Sequence, residues 1–200
     1  MTDDLPYSQA CENNKVPILE KLQAIFNAPG KVLEIGTLTG QHAVHFAQAM
    51  PHLQWQPSDQ PEAAHLCRRR LERAALPNIL HIVELDVSDA NWPVETFQWA
   101  FSANTAHIMS WGEVEQMFRG IGERLQEDGA FCLYGPLNNQ GEYSSDSNRQ
   151  FDQHLRAQAA HMGIRDLVDL RALAESAGMK LAENHPMPAN NRLLVFHRMP

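Results

Sequence analysis

The stretch KVLEIGTLTG, residues 31–40, decides the fold of this chain. Its apolar first half predicts a buried strand, its two glycines predict a tight turn, and a helical pattern begins at Gln41. Gly36 allows the backbone to turn sharply, and Gly40 allows a ligand or the helix to approach closely. Because the first amides of the following helix face the same point, the stretch favours a site for a nucleotide-type cofactor.

Apolar runs and helical patterns alternate along the rest of the chain. The predicted strands cover residues 31–36, 53–59, 79–85, 97–102, 130–134, 179–184 and 192–198. The predicted helices cover residues 12–27, 40–50, 61–75, 111–126, 148–161 and 166–177. This alternation is typical of an α/β fold with a mostly parallel sheet, here seven-stranded. The last two strands have no helix between them, so they are expected to form a C-terminal antiparallel hairpin.

The composition limits the class of partner. A net charge of −8 argues against a nucleic-acid surface, because phosphate binding needs clustered Lys and Arg. The basic residues within 68–73 are interpreted as a solvated helix face, with a phosphate-binding patch as the alternative. No apolar run approaches the length of a membrane span, and the acidic first residues lack a secretion signal. The 3 cysteines have neither paired nor metal-binding spacing, which favours reduced thiols in the cytoplasm.

The domain organisation follows from the same pattern. No linker, internal repeat or low-complexity tract interrupts it, so residues 1–200 are expected to form one domain. Residues 1–28 are expected to be an N-terminal helical cover, and residues 137–165 a lid or substrate insertion, because both segments mix polar and aromatic residues.

Four residues fall where predicted strands end, namely Gly36, Asp59, Asp86 and Asn104. Ligands of such sheets bind at the carboxyl ends of the strands, so these residues are expected to converge on one site. Asp59 either accepts hydrogen bonds from ribose hydroxyls or caps the next helix. Asp86 either accepts from an adenine amino group, while the Val87 amide meets a ring nitrogen, or caps a turn.

Glu34 is an acid inside an otherwise apolar strand, and a buried carboxylate is costly unless it is hydrogen bonded. It either caps a neighbouring backbone amide or orients the glycine turn or a cofactor ammonium. Its position directly before the turn favours the second interpretation.

Two side chains are candidates for catalysis. His107 follows the fourth predicted strand, and a histidine there is either a general base near pH 7 or a structural residue. Tyr134 ends the fifth predicted strand on the same side and is the second candidate for taking the proton. Asn104 presents an amide that suits the orientation of a substrate or of the cofactor. His42 and His45 are three apart on a helix, which is too weak a pattern to predict a metal site.

Substrate contacts are expected on the covering segments, at Asn14, Tyr143, Asp152, Arg156 and Asn190. Asp152 and Arg156 are four apart on a predicted helix, so an ordinary surface salt bridge is the alternative for that pair.

At these residues the chain resembles class I S-adenosylmethionine-dependent methyltransferases. The resemblance rests on the acid-x-Gly-x-x-x-Gly turn, the acid after strand two, the Asp after strand three and the closing hairpin, and it covers residues 31–135 and the last strands. It implies a Rossmann-like fold and S-adenosylmethionine as cofactor, with S-adenosylhomocysteine as product. The cofactor contacts that it implies are Glu34, Gly36, Thr37, Gly40, His42, Asp59, Asp86, Val87 and Asn104.

The chain also resembles a narrower group, the methyltransferase-like 26 proteins. The similar segments are residues 14–19, 33–36, 39–43, 55–59, 104–108, 134–136, 147–148, 151–152, 163–166 and 188–191. Two positions depart from that group. Leu38 stands where a glycine is expected, and a comparable turn in O-methyltransferases of the catechol type implies that it is tolerated. Asn13 stands where an Arg is expected, which implies a different substrate or weaker binding.

Three functions are compatible with these residues. The first is a methyltransferase that acts without metal on a small molecule, where positioning supplies most of the rate. The second is a cofactor-binding scaffold or regulatory protein that transfers no methyl group. The third is a nicotinamide-dependent reductase, and the missing third loop glycine and the closing hairpin argue against it.

Overall fold

The computed structural model describes residues 5–200, and a sheet with helices on both faces fills this part of the chain. The strands are β1 (Gly30–Ile35), β2 (Leu53–Asp59), β3 (Val83–Glu84), β4 (Phe97–Ala103), β5 (Leu125–Asn139), β6 (Glu142–Tyr143), β7 (Arg165–Asp166), β8 (Met179–Met187) and β9 (Asn191–Arg198). The α-helices are α1 (Gln9–Ile25), α2 (Gln41–Ala49), α3 (His65–Ala74), α4 (Trp111–Arg124), α5 (Asp146–Gln158) and α6 (Leu167–Ser176).

The sheet has the order β3-β2-β1-β4-β5-β9-β8. The pairs from β3 to β5 are parallel, whereas β9 is antiparallel to both β5 and β8. The predicted α/β class, the mostly parallel sheet and the C-terminal hairpin are therefore confirmed. Because β1, β2 and β4 are parallel neighbours, their carboxyl ends meet at one edge of the sheet, which is where the site lies.

The prediction of seven strands is wrong, because the sheet has 9. The two additional strands, β6 and β7, are two residues long and pair with the end of β5, which runs on to Asn139. The fifth predicted strand ends at residue 134, and residues 137–147 lie outside the predicted strands and helices. However, Gln140 and Gly141 both have positive φ, of 55° and 80°, which is the geometry of a two-residue hairpin turn.

Strand β3 is shorter than the predicted residues 79–85, and β2 supplies the reason. Pro57 has no N–H to donate to a neighbouring strand. In its place the Gln56 side chain donates a 2.6 Å hydrogen bond to the His81 carbonyl. Regular pairing consequently begins only at Ser58 and Val83, and Ile79 forms an isolated bridge with Trp55.

Apolar side chains alternate between the two faces of the strands and form one core cluster on each face. One cluster contacts α4 and α6 and centres on Leu33, Phe118, Phe131 and Phe196. The other contacts α1 and α2 and centres on Phe26, Phe46, Trp55 and Phe101. Within residues 5–200, no helix combines the length and the apolar character needed to cross a bilayer.

Two helices that cover the sheet edge begin at serine caps. The Ser8 hydroxyl accepts from the Cys11 N–H at the start of α1, and the Ser145 hydroxyl accepts from the Asn148 N–H at the start of α5. Such caps satisfy N–H groups that have no partner within the helix. They fix where each helix begins and thereby which residues reach the site.

Helix α4 allows a matched test of the packing. A Cβ on Gly122 would lie 2.0 Å from the Ala177 carbonyl oxygen, whereas a Cβ on Gly112 would meet nothing within 4 Å. We expect Gly122→Ala to lower the free energy of unfolding by roughly 1–3 kcal/mol through overpacking. We expect Gly112→Ala to raise it by up to about 1 kcal/mol through helix propensity. Urea unfolding measures both changes, and equal effects would contradict the packing described.

Candidate functional site

The glycine turn after β1 contains three residues in left-handed conformations. Gly36, Leu38 and Gly40 have φ values of 78°, 44° and 75°. Leucine adopts this region at a cost of about 1 kcal/mol, so the turn must be held by other contacts. The Gly36 and Thr37 amides both donate to the Ser58 carbonyl at 3.0 Å. The Leu38 side chain is 47% exposed and points away from the core.

Glu34 lies directly beneath this turn and is 2% exposed. Its Oε2 atom accepts from the Trp55 indole N–H at 2.9 Å and from the Thr37 hydroxyl at 3.1 Å. The Thr37 oxygen in turn accepts from the Ser58 N–H at 3.2 Å. Burial raises the pKa of Glu34 to about 7, which these hydrogen bonds offset only in part. These contacts support the interpretation that Glu34 orients the glycine turn.

Asp59 closes the turn from the end of β2. Its carboxylate accepts from the Leu38 N–H at 2.6 Å and from the Gln60 N–H at 2.9 Å. Burial raises the pKa of Asp59, and these two backbone donors counteract the shift. The side chain therefore sets the position of residue 38 and remains partly accessible to a ligand.

Two cavities meet at this turn. The larger, of about 600 Å³, is called the chamber here, and the smaller, of about 310 Å³, the side cavity. They share the lining residues Gly36, Asp59, Thr105 and Ile108. The volumes lie within or near the usual range for small-molecule sites. The side cavity is walled largely by apolar residues, namely Ile35, Leu85, Val87, Met109 and Met162.

The chamber is roofed by segments that are distant in sequence. Helix α1 contributes Ala10, Cys11, Asn13 and Asn14, α5 contributes Asn148 and Phe151, and the turn between β8 and β9 contributes Pro188 and Ala189. Ala189 has a φ of 57°, which is unusual for a residue other than glycine and is typical of functional regions.

Helix α1 is fastened to the glycine turn through Gln41. The Gln41 side chain accepts from the Ser8 N–H at 2.6 Å and donates to Glu12 at 2.6 Å. Arg70 adds a second link, because it donates to the Thr39 carbonyl at 2.7 Å and to the Pro6 carbonyl at 2.6 Å. The interpretation of residues 68–73 as a solvated face is therefore wrong for Arg70.

Three predicted side chains form a neutral network on the chamber wall. The His42 Nε2 atom lies 2.7 Å from the Asn14 Oδ1 atom, and burial lowers the pKa of His42 to about 4. The Tyr134 hydroxyl is hydrogen bonded by the Asn14 and Asn191 side chains. Burial raises the pKa of Tyr134, and those hydrogen bonds oppose the shift. At neutral pH His42 and Tyr134 are both uncharged.

His107 and Asn104 border the chamber without hydrogen-bond partners for their side chains among the described residues. His107 is 7% exposed, and its ring lies edge-on to the Phe151 ring at 5.2 Å. Burial, reinforced by Arg165, lowers the pKa of His107 to about 4. The side chain is therefore neutral at pH 7 and suited to accept a hydrogen bond, but it is a weak base. Asn104 has a φ of 59°, which asparagine tolerates better than most residues.

Other predicted site residues lie away from the chamber lining. Gly40 precedes α2 and packs against Cys67, and Val87 lines the side cavity, not the chamber. The Asp86 carboxylate accepts from the Ser88 N–H at 2.8 Å, as expected for a turn cap. The Asn190 side chain donates to the Ser147 hydroxyl at 3.2 Å, between the two roof segments.

Asp152 forms an internal clamp within residues 143–164 and does not line the chamber. It is 1% exposed and accepts from the Ile164 N–H at 2.7 Å, and from Tyr143 and Arg156 at 2.8 Å each. Burial acts to raise the pKa of Asp152, but these three donors outweigh it and hold the pKa below its usual value. The pair with Arg156 is thus anchored at a buried carboxylate and is more than a surface salt bridge.

Sequence reasoning missed several lining residues, namely Ser8, Ser147, Asn148, Pro188, Ala189 and Asn191 in the chamber, and Leu85, Met109 and Met162 in the side cavity. Of these chamber residues, all but Ser8 lie within residues 147–148 and 188–191, where the predicted resemblance to the methyltransferase-like 26 group was the available signal. Within the part of the chain that the structure describes, no three His, Cys, Asp or Glu side chains are grouped so as to hold a metal ion.

A family model described as protein of unknown function, DUF938, matches residues 5–198. Among solved structures, the chain is similar to an O-methyltransferase family protein from Burkholderia thailandensis (TM-score 0.83, 15% identity, 96% of this chain and 57% of that one). It is also similar to an O-methyltransferase family 2 protein from Planctomyces limnophilus in complex with apigenin (0.79, 16%, 94% and 58%). A third is CalO1, a methyltransferase in calicheamicin biosynthesis, in its SAH-bound form (0.71, 16%, 92% and 54%).

These comparisons establish the fold. At 15–16% identity over nearly the whole chain, the likeness shows that this protein has the Rossmann-like fold of class I methyltransferases. The chain spans little more than half the length of these structures.

The buried carboxylate beneath the turn makes stability depend on pH. Its pKa is raised from 4.5 to about 7, so the folded state holds this proton more tightly than the unfolded chain. The contribution of Glu34 to stability is therefore largest at low pH and is lost as the pH rises from about 4.5 to 7. We expect the stability of wild type relative to Glu34→Gln to fall by roughly 2 kcal/mol between pH 5 and pH 8.

Urea unfolding of both proteins at the two pH values measures this difference. A constant difference would contradict the assignment of a raised pKa to Glu34.

Proposed function

We propose that this chain, which belongs to the DUF938 family of proteins of unknown function, is an S-adenosylmethionine-dependent methyltransferase. Its acceptor is a small molecule, and no metal ion takes part. The observation that supports this most strongly is that the two cavities join at Asp59. This residue is hydrogen bonded to the glycine turn that Glu34 orients.

The residues around the junction fit the chemistry of that cofactor. The apolar side cavity, with Leu85 and Val87, suits a flat base. Asp59, a carboxylate at the end of β2, suits the hydroxyls of a ribose. Thr37 and His42 border the chamber on the side of the turn, where the amino-acid portion of the cofactor would lie. Asp86 completes the proposed cofactor contacts only if it exchanges its bond to Ser88 for one to the ligand. Asn104, which the sequence leaves open between cofactor and substrate, is assigned to the acceptor.

When bound, S-adenosylmethionine would supply the methyl group, and the cofactor's sulfur would keep the electron pair of the broken S–C bond. A lone pair of the acceptor would form the new bond to the methyl group, and the acceptor's proton would pass to water. The protein's own contribution is to hold the acceptor in place and exclude water. His107 accepts a hydrogen bond from the acceptor, and its low pKa, about 4, leaves it too weak a base to keep the proton. Tyr134, fixed by two amides, shapes the wall beside it.

The neighbouring structures support this proposal by what they contain. CalO1 is described in its SAH-bound form, and the Planctomyces limnophilus protein in complex with apigenin, which is a small molecule.

We also propose membership of the narrower methyltransferase-like 26 group, on the strength of the similar segments that line the chamber. The finer organisation proposed is one domain over residues 1–200, in which residues 1–28 are the cover and residues 137–165 the lid. Residues 1–4 of the cover lie outside the described part.

The cover and lid assignments rest on the position of the chamber roof. Four residues of α1 border the chamber, namely Ala10, Cys11, Asn13 and Asn14, and so do Ser147, Asn148 and Phe151 of the proposed lid. The three cysteines, Cys11, Cys67 and Cys132, are all free thiols, which supports a reducing compartment such as the cytoplasm.

A second candidate function is cofactor binding without methyl transfer. Leu38 favours it, because this side chain occupies a strained left-handed position at the mouth of the turn. Asn13 also favours it, since its neutral amide lines the chamber where a cation is expected in the group that the chain resembles. Detection of a methylated product with any acceptor excludes this alternative.

Calorimetric titration with S-adenosylmethionine and S-adenosylhomocysteine tests the cofactor site. We expect Asp59→Asn to weaken binding of both ligands roughly 10- to 100-fold, because it removes the charge on a hydrogen-bond acceptor but keeps its shape. Asp128→Asn is the matched control, since Asp128 is exposed and lies near the start of β5, at the opposite end of that strand from the site.

Equal affinity of wild type and Asp59→Asn would contradict the site. The absence of binding to the wild-type protein would contradict the proposed function.

A further inference from the structure

Gly135 in β5 lies between Tyr134 and Pro136, which line the chamber, and it leaves a gap beside two other lining residues, His107 and Asn104. A Cβ built on it would lie 3.8 Å from the His107 Nδ1 atom and 3.9 Å from the Asn104 Oδ1 atom, with no other atom within 4 Å. Both contacts have ordinary van der Waals lengths, so the backbone has room for a side chain there. The missing side chain therefore leaves open a space that is bordered by two polar groups.

Both polar groups have unused hydrogen-bonding capacity. His107 is 7% exposed, and its side chain has no hydrogen-bond partner among the described residues. The amide of Asn104 also has none. Nearly all buried polar groups in proteins are hydrogen bonded, so the unpartnered His107 side chain, with the half-buried Asn104 amide beside it, points to a ligand in the chamber.

The walls around this space carry almost no charge. Among the described residues that line the chamber, Asp59 alone is formally charged at neutral pH, and it lies at the junction with the side cavity. The two histidines, His42 and His107, are neutral because burial lowers the pKa of each to about 4. The other polar side chains are amides and hydroxyls, such as Asn14, Asn148 and Tyr134. A charged group placed here would lose its hydration without gaining a partner.

Apolar side chains complete the lining. Phe151, Ile108 and Leu38 are 36%, 46% and 47% exposed, and all three border the chamber. Exposed apolar side chains that are grouped around one cavity are typical of ligand-binding grooves. The Phe151 ring also lies beside His107, so an apolar wall meets the orphaned polar pair.

We propose that Gly135 keeps open the seat of the methyl acceptor between Asn104 and His107, and that this acceptor is an uncharged molecule with an apolar or aromatic body and a hydroxyl or N–H group. The proposal rests on the proposed methyltransferase function and adds the class of its substrate. In the seat, the acceptor group donates a hydrogen bond to the unprotonated ring nitrogen of His107, and the Asn104 amide bonds a second polar atom. The apolar body lies against Phe151.

Matched acceptors test the charge preference. 4-Hydroxybenzamide, 4-hydroxybenzoate and 4-hydroxybenzylamine share a phenol and differ in being neutral, anionic and cationic. Binding to the protein loaded with S-adenosylhomocysteine is measured by calorimetry, and turnover by release of S-adenosylhomocysteine from S-adenosylmethionine. We expect the neutral amide to exceed both charged compounds at least roughly tenfold in either readout.

A charged compound that equals or exceeds the amide overturns the proposal, as does the absence of amide binding to the loaded protein. Failure of the protein to bind S-adenosylhomocysteine at all is a different result, because it overturns the proposed function itself.

Gly135→Ala tests the seat, with Gly112→Ala as the matched control on an exposed face of α4. We expect Gly135→Ala to lower the efficiency of methylation of the neutral amide roughly tenfold or more, because a methyl group fills the seat. For Gly135→Ala, we expect the affinity for S-adenosylhomocysteine and the melting temperature to equal those of wild type. Unchanged methylation overturns the assignment of the seat. Loss of S-adenosylhomocysteine affinity overturns it too, because Gly135 would then belong to the cofactor site.

Discussion

One buried carboxylate holds together the part of this protein on which the site depends. Glu34 lies near the end of β1, and one of its oxygens accepts hydrogen bonds from both the Trp55 indole N–H and the Thr37 hydroxyl. A carboxylate that leaves water must recover its lost hydration through such donors. The first donor belongs to the neighbouring strand and the second to the glycine turn. The geometry of the turn is therefore tied to the pairing of β1 and β2.

The rest of the site follows from that turn. With the turn fixed, the Leu38 amide meets the Asp59 carboxylate, and the chamber and side cavity join at that contact. Gln41, the first residue of α2, then anchors the start of α1 above the chamber. Away from Asp59, the chamber wall carries no formal charge, because amides and neutral histidines line it. A rigid polar turn and a neutral chamber thus divide the proposed tasks of binding the cofactor and binding the acceptor.

The sequence predicted those features that local patterns encode, and it missed those that depend on distant contacts. The residues of β1 and β2 and the convergence of Gly36, Asp59 and Asn104 follow from apolar runs that end in polar residues. By contrast, the clamp at Asp152 involves the Ile164 N–H, and no local pattern links those positions. The short β3 reflects Pro57 on another strand. The neutrality of His107 depends on burial, which spacing along the chain does not reveal.

The central claim is that a nucleotide-type cofactor binds across the turn that Glu34 holds. Heteronuclear NMR titration of the isotope-labelled full chain with S-adenosylhomocysteine tests it most directly, because every amide reports separately. The account predicts the largest shift changes at residues 36–40, at Asp59 and Gln60, and at Val87 beside the side cavity. No shift changes, or changes confined to the β8 edge of the sheet, would contradict it.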